Sequence, residues 1–176
     1  MTKKTQKPLM ITVIGEGEAS PEIFKLAEQV GEELARAGVV VICGGLTGVM
    51  EGVCKGAKKE GGTTIAVLPG SRREEANQYV DYPIVTGIGY ARNKLVVKSG
   101  QAVIAVGGSY GTLSEIAFAL GYGIPIVGLQ TWELIHRTGR KDQKINYVTT
   151  AKEAVDLAVK LAHEAGPTKN KREFST

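Results

Sequence analysis

Short apolar runs alternate with helical-period segments along almost the whole chain. Leu9–Gly15, Val39–Cys43, Thr63–Leu68, Gln101–Val106 and Ile124–Gly128 are each short, β-branched and mostly apolar on both faces. Such runs are the pattern of strands buried on both sides of a sheet. Between them the apolar spacing changes to that of a helix. Ile23, Leu26, Ala27, Val30 and Leu34 fall on one face after Ser20-Pro21-Glu22, which supplies an N-cap, a first-position proline and a first-turn acid; Gly38 ends the segment. A second helix is expected from about Thr47 to Lys59, with Val49, Met50, Val53 and Ala57 inward. A third carries Leu95, Val96 and Val97, and a fourth Leu113, Ile116, Ala117 and Leu120. Pro83–Thr86 and Asn146–Thr150 read as two further short strands. Thr150-Ala-Lys-Glu153 has the form of a capping box and opens a last helix with Ala154, Leu157, Ala158 and Leu161 inward. Residues 71–82 and 129–145 have no apolar period and read as loops, the first with the length of a functional lid.

Strand and helix alternate without repeat or linker. The pattern predicts an α/β, Rossmann-like doubly wound parallel sheet in a single domain over residues 9–166, with flexible tails at 1–8 and 167–176. In such sheets a ligand sits beyond the carboxyl ends of the strands, at the point where the strand order reverses.

Charge adds little to this. The net charge is +4, but Lys3, Lys4, Lys7, Lys169, Lys171 and Arg172 against Glu173 place +5 on the tails, which leaves the body at −1. The basic balance therefore belongs to the ends, and no nucleic-acid partner is expected. No apolar run is long enough to span a bilayer and the N-terminus lacks a signal-type stretch, so the expectation is a cytoplasmic protein without a membrane partner. Two cysteines, Cys43 and Cys54, form no ligand cluster with histidine, so no metal site is expected; both read as small buried residues kept reduced.

The candidate chemistry lies in the turns. Val106-Gly107-Gly108-Ser109-Tyr110-Gly111-Thr112 joins a strand end to a helix start, and Gly44-Gly45-Leu46-Thr47-Gly48 does the same upstream. A helix start leaves backbone N–H groups unpaired, its dipole favours an anion, and glycines allow close approach. The two turns are expected to form a phosphate cradle, with Gly15 at the end of the first strand beside them. Arg92 begins a helix at a neighbouring strand's carboxyl end and offers a planar fork to a phosphate; Glu115, one turn beyond Thr112, would face what the phosphate carries. Other chemistries fit less well. Gly15-x-Gly17-x-x-Ser20 lacks its third glycine, and Cys43-Gly44-Gly45 stands where a nicotinamide-cofactor enzyme places an acid; no GxxxxGK[ST] occurs. His136 and His163 lie in polar segments and form no nucleophilic triad. No lysine sits where a Schiff base would need one.

Gly107-Gly108-Ser-Tyr-Gly111-Thr112-Leu-Ser-Glu115 resembles the GGxGTxxE signature of the Lonely guy (LOG) proteins, and Gly44-Gly45-Leu-Thr-Gly48-Val-Met50 resembles their upstream GGGxxGLM motif. The resemblance covers about residues 9–165. The short chain and Tyr90-Ala-Arg92-Asn93 are more similar to the branch containing molybdenum cofactor carrier proteins. The resemblance implies a homodimer and a phosphorylated, nucleotide-like ligand: molybdenum cofactor in a non-catalytic carrier, or AMP or a cytokinin riboside monophosphate in a phosphoribohydrolase releasing free base and ribose 5-phosphate. No cofactor is implied as a requirement. Arg92 and Glu115 map onto the catalytic pair if the protein is a hydrolase, and Asn93 joins the ligand contacts. Two departures tilt the expectation toward binding: Val106 stands where the enzymes carry proline, and Tyr90 and Asn93 replace the His and Lys of their HxRK context.

Overall fold

The structure is a computed structural model describing residues 7–165. The tails expected at 1–8 and 167–176 lie outside these residues, apart from Lys7 and Pro8. Seven strands form one sheet: β1 (Met10–Gly15), β2 (Val40–Cys43), β3 (Thr64–Leu68), β4 (Tyr82–Val85), β5 (Ala102–Val106), β6 (Ile126–Leu129) and β7 (Ile145–Val148). Their order is β4-β3-β2-β1-β5-β6-β7, and every pairing is parallel. The order reverses between β1 and β5, which pair from Ile11 with Ala102 to Gly15 with Val106. The Rossmann-like architecture read from the alternation is the one found.

Five helices cover the two faces: α1 (Pro21–Arg36), α2 (Val49–Lys59), α3 (Asn93–Ser99), α4 (Tyr110–Tyr122) and α5 (Ala151–Ala165). One buried cluster joins β1, β2 and β5 to α1, α2 and α5 through residues such as Val13, Val30, Leu34, Val53 and Ala158. The other joins the opposite face to α3 and α4 through Ile14, Val96, Val97, Ile116 and Ala119. The end signals act locally as their chemistry dictates. Ser20 Oγ accepts from Ile23 N–H at 3.3 Å with Pro21 in the first turn. Glu153 accepts from Thr149 and Thr150 N–H, each at 3.1 Å, and its own N–H donates to Thr150 Oγ1.

Three expectations need correction. The second helix begins at Val49 rather than Thr47, because Gly48 at φ +65° cannot continue it. Leu95 is exposed while Val96 and Val97 are buried. In α4 the buried stripe is Thr112, Glu115, Ile116 and Ala119, with Ala117 and Phe118 outward. α4 is apolar over most of its surface and the apolar residues of α3 stand three in a row, so periodicity alone leaves their orientation open. Residues 71–82 hold one short 3₁₀ turn at Arg73–Glu75 and pack beneath the 44–48 turn, where Asn77 Nδ2 donates to the carbonyls of Gly45 at 3.1 Å and Leu46 at 2.9 Å. None of them lines the cavity described next.

Candidate functional site

At the carboxyl edge of the sheet, where β1 and β5 part, lies a cavity of about 180 Å³. Its walls come from the end of β1, the turns that follow β1, β2 and β5, the turn before α3, and the starts of α2, α3 and α4. Gly15 and Gly17 line one side, Gly44 and Met50 another, Arg92 and Glu115 a third, and Ser109 and Gly111 the start of α4. Gly15 is required there: a Cβ on it would lie 2.5 Å from both Val106 O and Val49 Cγ1, so any side chain would push β1 off its neighbours.

The charged pair is deeply buried. Arg92 is 7% exposed and Glu115 6%, with Nη1 to Oε1 at 3.7 Å. Arg92 Nη1 also donates to Asn93 Oδ1, and Nη2 donates to Gly44 O at 3.5 Å. Its Nε is buried and has no partner. Asn93 Nδ2 donates in turn to Ser114 Oγ at 3.0 Å, which locks the base of α3 to α4. Burial raises the Glu115 pKa to about 7, against the opposing pull of Arg92. Burial likewise lowers that of Arg92, which Glu115 resists. The carboxyl therefore holds or gives up a proton near neutral pH, beside a fixed cation with spare donor capacity.

The glycine turns divide their work. Of the expected ligand contacts, Gly15, Gly44, Arg92, Asn93, Ser109, Gly111 and Glu115 line the cavity. Gly45, Thr47, Gly48, Gly107, Gly108 and Thr112 are not on its wall. Gly45, at φ +77°, packs on Ala66 and Leu68, and Gly48 lies against the carbonyl of Glu16. Thr47 Oγ1 donates to Gly17 O at 2.8 Å, tying the first two turns together. In the turn before α4, Gly107 N–H donates to Leu129 O at 3.1 Å and Ser109 N–H to the Oγ1 of buried Thr112 at 3.3 Å. Gly108 N–H donates to Glu16 Oε2 at 2.9 Å. Three amides expected to face a ligand are thus bonded within the chain. The opening that remains is at Gly111, where a Cβ would have only Ser109 Oγ within 4 Å, at 3.8 Å.

Glu16, Gly17, Leu46, Met50 and Tyr90 are among the residues that reasoning from sequence did not assign to the site. Leu46 and Tyr90 line the cavity, Tyr90 with most of its surface exposed. An acid between Gly15 and Gly17, within reach of a second glycine turn, was the one available signal for Glu16. Among the described residues no group of three or more His, Cys, Asp or Glu is placed to hold a metal ion, and no helix is long and apolar enough to cross a membrane.

A parallel sheet with a buried Arg–Glu pair and an open helix start at its switch point defines a Rossmann-like protein with a small, partly polar cavity at the carboxyl edge of the sheet. Residues 8–155 match the SLOG cluster4 family, and the chain belongs to it. A protein of Archaeoglobus fulgidus is 47% identical over 124 residues, which are 70% of this chain and 82% of that one. The cytokinin riboside 5'-monophosphate phosphoribohydrolase of Mycobacterium marinum is 31% identical over 122 residues, 66% of this chain and 65% of the enzyme. Among solved structures, the molybdenum cofactor binding protein of Rippkaea orientalis superposes with a TM-score of 0.80 at 33% identity, covering 89% of this chain and 99% of that one. The molybdenum cofactor carrier protein of Chlamydomonas reinhardtii gives 0.79 at 32%, with the same coverages.

Proposed function

We propose that the cavity binds a small phosphorylated heterocycle, as a carrier of the molybdenum cofactor type, in the cytoplasm. The observation that carries this reading is Arg92: a guanidinium almost wholly buried at the cavity wall, with an Nε that has no partner. A buried donor left unpaired is costly, and a phosphate oxygen from a ligand would satisfy it. The start of α4 at Ser109 and Gly111 adds helix-terminal amides and the favourable end of the dipole. Leu46, Met50 and Tyr90 supply apolar surface for a flat ring. The structural likeness to the two molybdenum cofactor proteins supports this ligand class.

A second reading is hydrolysis of a nucleoside 5'-monophosphate. It is favoured by Glu115, whose pKa of about 7 leaves part of it ionised at neutral pH beside Arg92. An ionised Glu115 would steady a positively charged ribose and orient water while Arg92 positions the nucleotide. Incubation with AMP separates the two. Bound AMP without release of base supports the carrier; steady release of base and ribose 5-phosphate that Glu115→Gln abolishes overturns it in favour of the hydrolase. Gly111→Val places a side chain where space is open, so the fold should survive while AMP binding is lost; unchanged affinity refutes the placement of the ligand.

The same reading pairs two copies through α3 and α4. Leu95 and Phe118 are exposed on these helices, 43% and 36%. Light scattering should report a dimer that Phe118→Glu converts to monomer; a monomeric native protein would refute it.

A further inference from the structure

Cys43 ends β2 and Cys54 lies in α2, and both are fully buried free thiols. Their sulfurs are 3.5 Å apart, within hydrogen-bonding distance. A disulfide needs about 2.05 Å, so the gap to close is only about 1.5 Å. We propose that Cys43 and Cys54 form a reversible disulfide that locks the 44–48 turn, whose Gly44 and Leu46 line the cavity.

The position gives the bond a consequence. The ring it closes runs from Cys43 to Cys54 and contains the whole turn, Gly44 to Gly48, together with Met50. α2 cannot move far to meet β2. Gly31, Gly52 and Gly56 bring α1 and α2 into backbone contact, so the helix is clamped from behind. β2 is held in register as far as Cys43, which pairs with Ala66. The first residue free of the sheet is Gly44, where a Cβ would lie 2.7 Å from both Arg92 Nη2 and Met50 Sδ. Rotation of the two side chains closes most of the gap, and the turn takes up the remainder. Movement of Gly44 reaches Arg92 directly, because the Gly44 carbonyl accepts from Nη2.

The chemistry is that of a dithiol meeting a peroxide. The environment holds Cys43 below the ordinary thiol range: the Cys54 S–H is the main cause, and the Arg92 guanidinium adds to it against the cost of burial. Cys43, next in the chain to the cavity-lining Gly44, takes the role of nucleophile. Its thiolate attacks one oxygen of hydrogen peroxide, the O–O bond breaks, and the departing hydroxide leaves as water, with Cys43 as a sulfenic acid. The Cys54 sulfur then attacks Cys43 Sγ, the S–O bond breaks, and a second water leaves with the Cys54 proton. Overall two thiols and one peroxide give one disulfide and two waters. Gly44, the next residue, lines the cavity, which brings a small oxidant to within one residue of Cys43. A dithiol reductant reverses the step.

The test treats the full chain with hydrogen peroxide, then unfolds it in the presence of N-ethylmaleimide and measures intact mass. The expected product has lost two hydrogens, carries no maleimide, yields a peptide linking Cys43 to Cys54, and returns to two labelled thiols after dithiothreitol. Oxygen retained on either cysteine sulfur, two thiols still labelled after oxidation, or a disulfide-linked pair of chains overturns the proposal; sulfoxide on a methionine does not bear on it. Hydrogen exchange then reads the lock. Amides of residues 44–48 should exchange about tenfold more slowly in the oxidised protein, and Cys54→Ala should show no change on peroxide treatment; equal exchange in the two wild-type forms overturns the coupling to the turn. Neither readout uses a ligand, so a failure to bind AMP in either form counts against the carrier reading alone.

Discussion

The burial of Glu115 has a stability consequence that can be worked through. The carboxyl is 6% exposed, and burial moves its pKa from an ordinary 4.5 to about 7, with Arg92 too weakly coupled at 3.7 Å to prevent the rise. A carboxyl whose pKa is higher in the folded than in the unfolded chain favours folding while both states are protonated, below pH 4.5. Between 4.5 and about 7 the unfolded chain has given up this proton and the folded chain still holds it, so stability falls as pH rises. The gap, at about 1.4 kcal/mol per pH unit, is worth roughly 3 kcal/mol in full, essentially all of it lost by about pH 8. Glu115→Gln keeps the shape and an acceptor for Arg92 but has no proton to lose. Urea denaturation of both proteins from about pH 4.5 to about pH 8 cancels every titration they share. The difference between them should move toward the glutamine variant by roughly 3 kcal/mol across that range. Any constant cost of leaving Arg92 without its carboxylate shifts the whole curve and leaves this slope intact. Parallel curves, or a gap that widens toward acid, would refute the claim that desolvation outweighs the ion pair.

Other consequences are simpler to state. Arg92→Lys keeps the charge but loses the fork, so AMP binding should weaken by about ten- to hundredfold in a calorimetric titration; an unchanged affinity would remove Arg92 from the phosphate site. Glu16→Ala leaves Gly108 N–H without its acceptor and should lower stability by about 1 kcal/mol, with Glu16→Gln losing less because its amide oxygen still accepts; equal losses would show that charge rather than the bond is at work. Gly56→Ala gains about 1 kcal/mol of helix propensity but drives a Cβ into the Glu28 carbonyl of α1, where overpacking costs about 3 kcal/mol. A net loss in denaturant melts is expected, and a stabilised variant would mean the two helices can separate.

Much of the fold was legible in the chain because the signals for it are local. β-branched runs ending at glycine, Ser20-Pro21-Glu22 and the Thr150–Glu153 capping box act over a few residues, and each forms where the spacing placed it. The alternation of strand with helix then leaves few topologies, and the parallel sheet follows. α3 and α4 resisted the same reasoning. Their apolar residues run round the helix, so only the packed sheet decides that Val96, Val97 and Glu115 face in while Leu95 and Phe118 face out.

The site shows the same division. Composition and turn chemistry by themselves determined that the strand ends would carry glycine turns, an arginine and a glutamate. Tertiary structure decided which of them meet. Gly108 bonds Glu16 across 92 residues, and Arg92 reaches Gly44 across 48. Cys43 and Cys54 face each other only because α2 folds back over β2. Backbone N–H groups carry no side-chain identity, so nothing in a run of glycines says whether a ligand or the chain's own carboxylate will take them. That choice depends on distances set by the packing of whole elements. It turns an expected two-turn cradle into a narrower opening at Gly111, beside a buried arginine that still has a hydrogen to give.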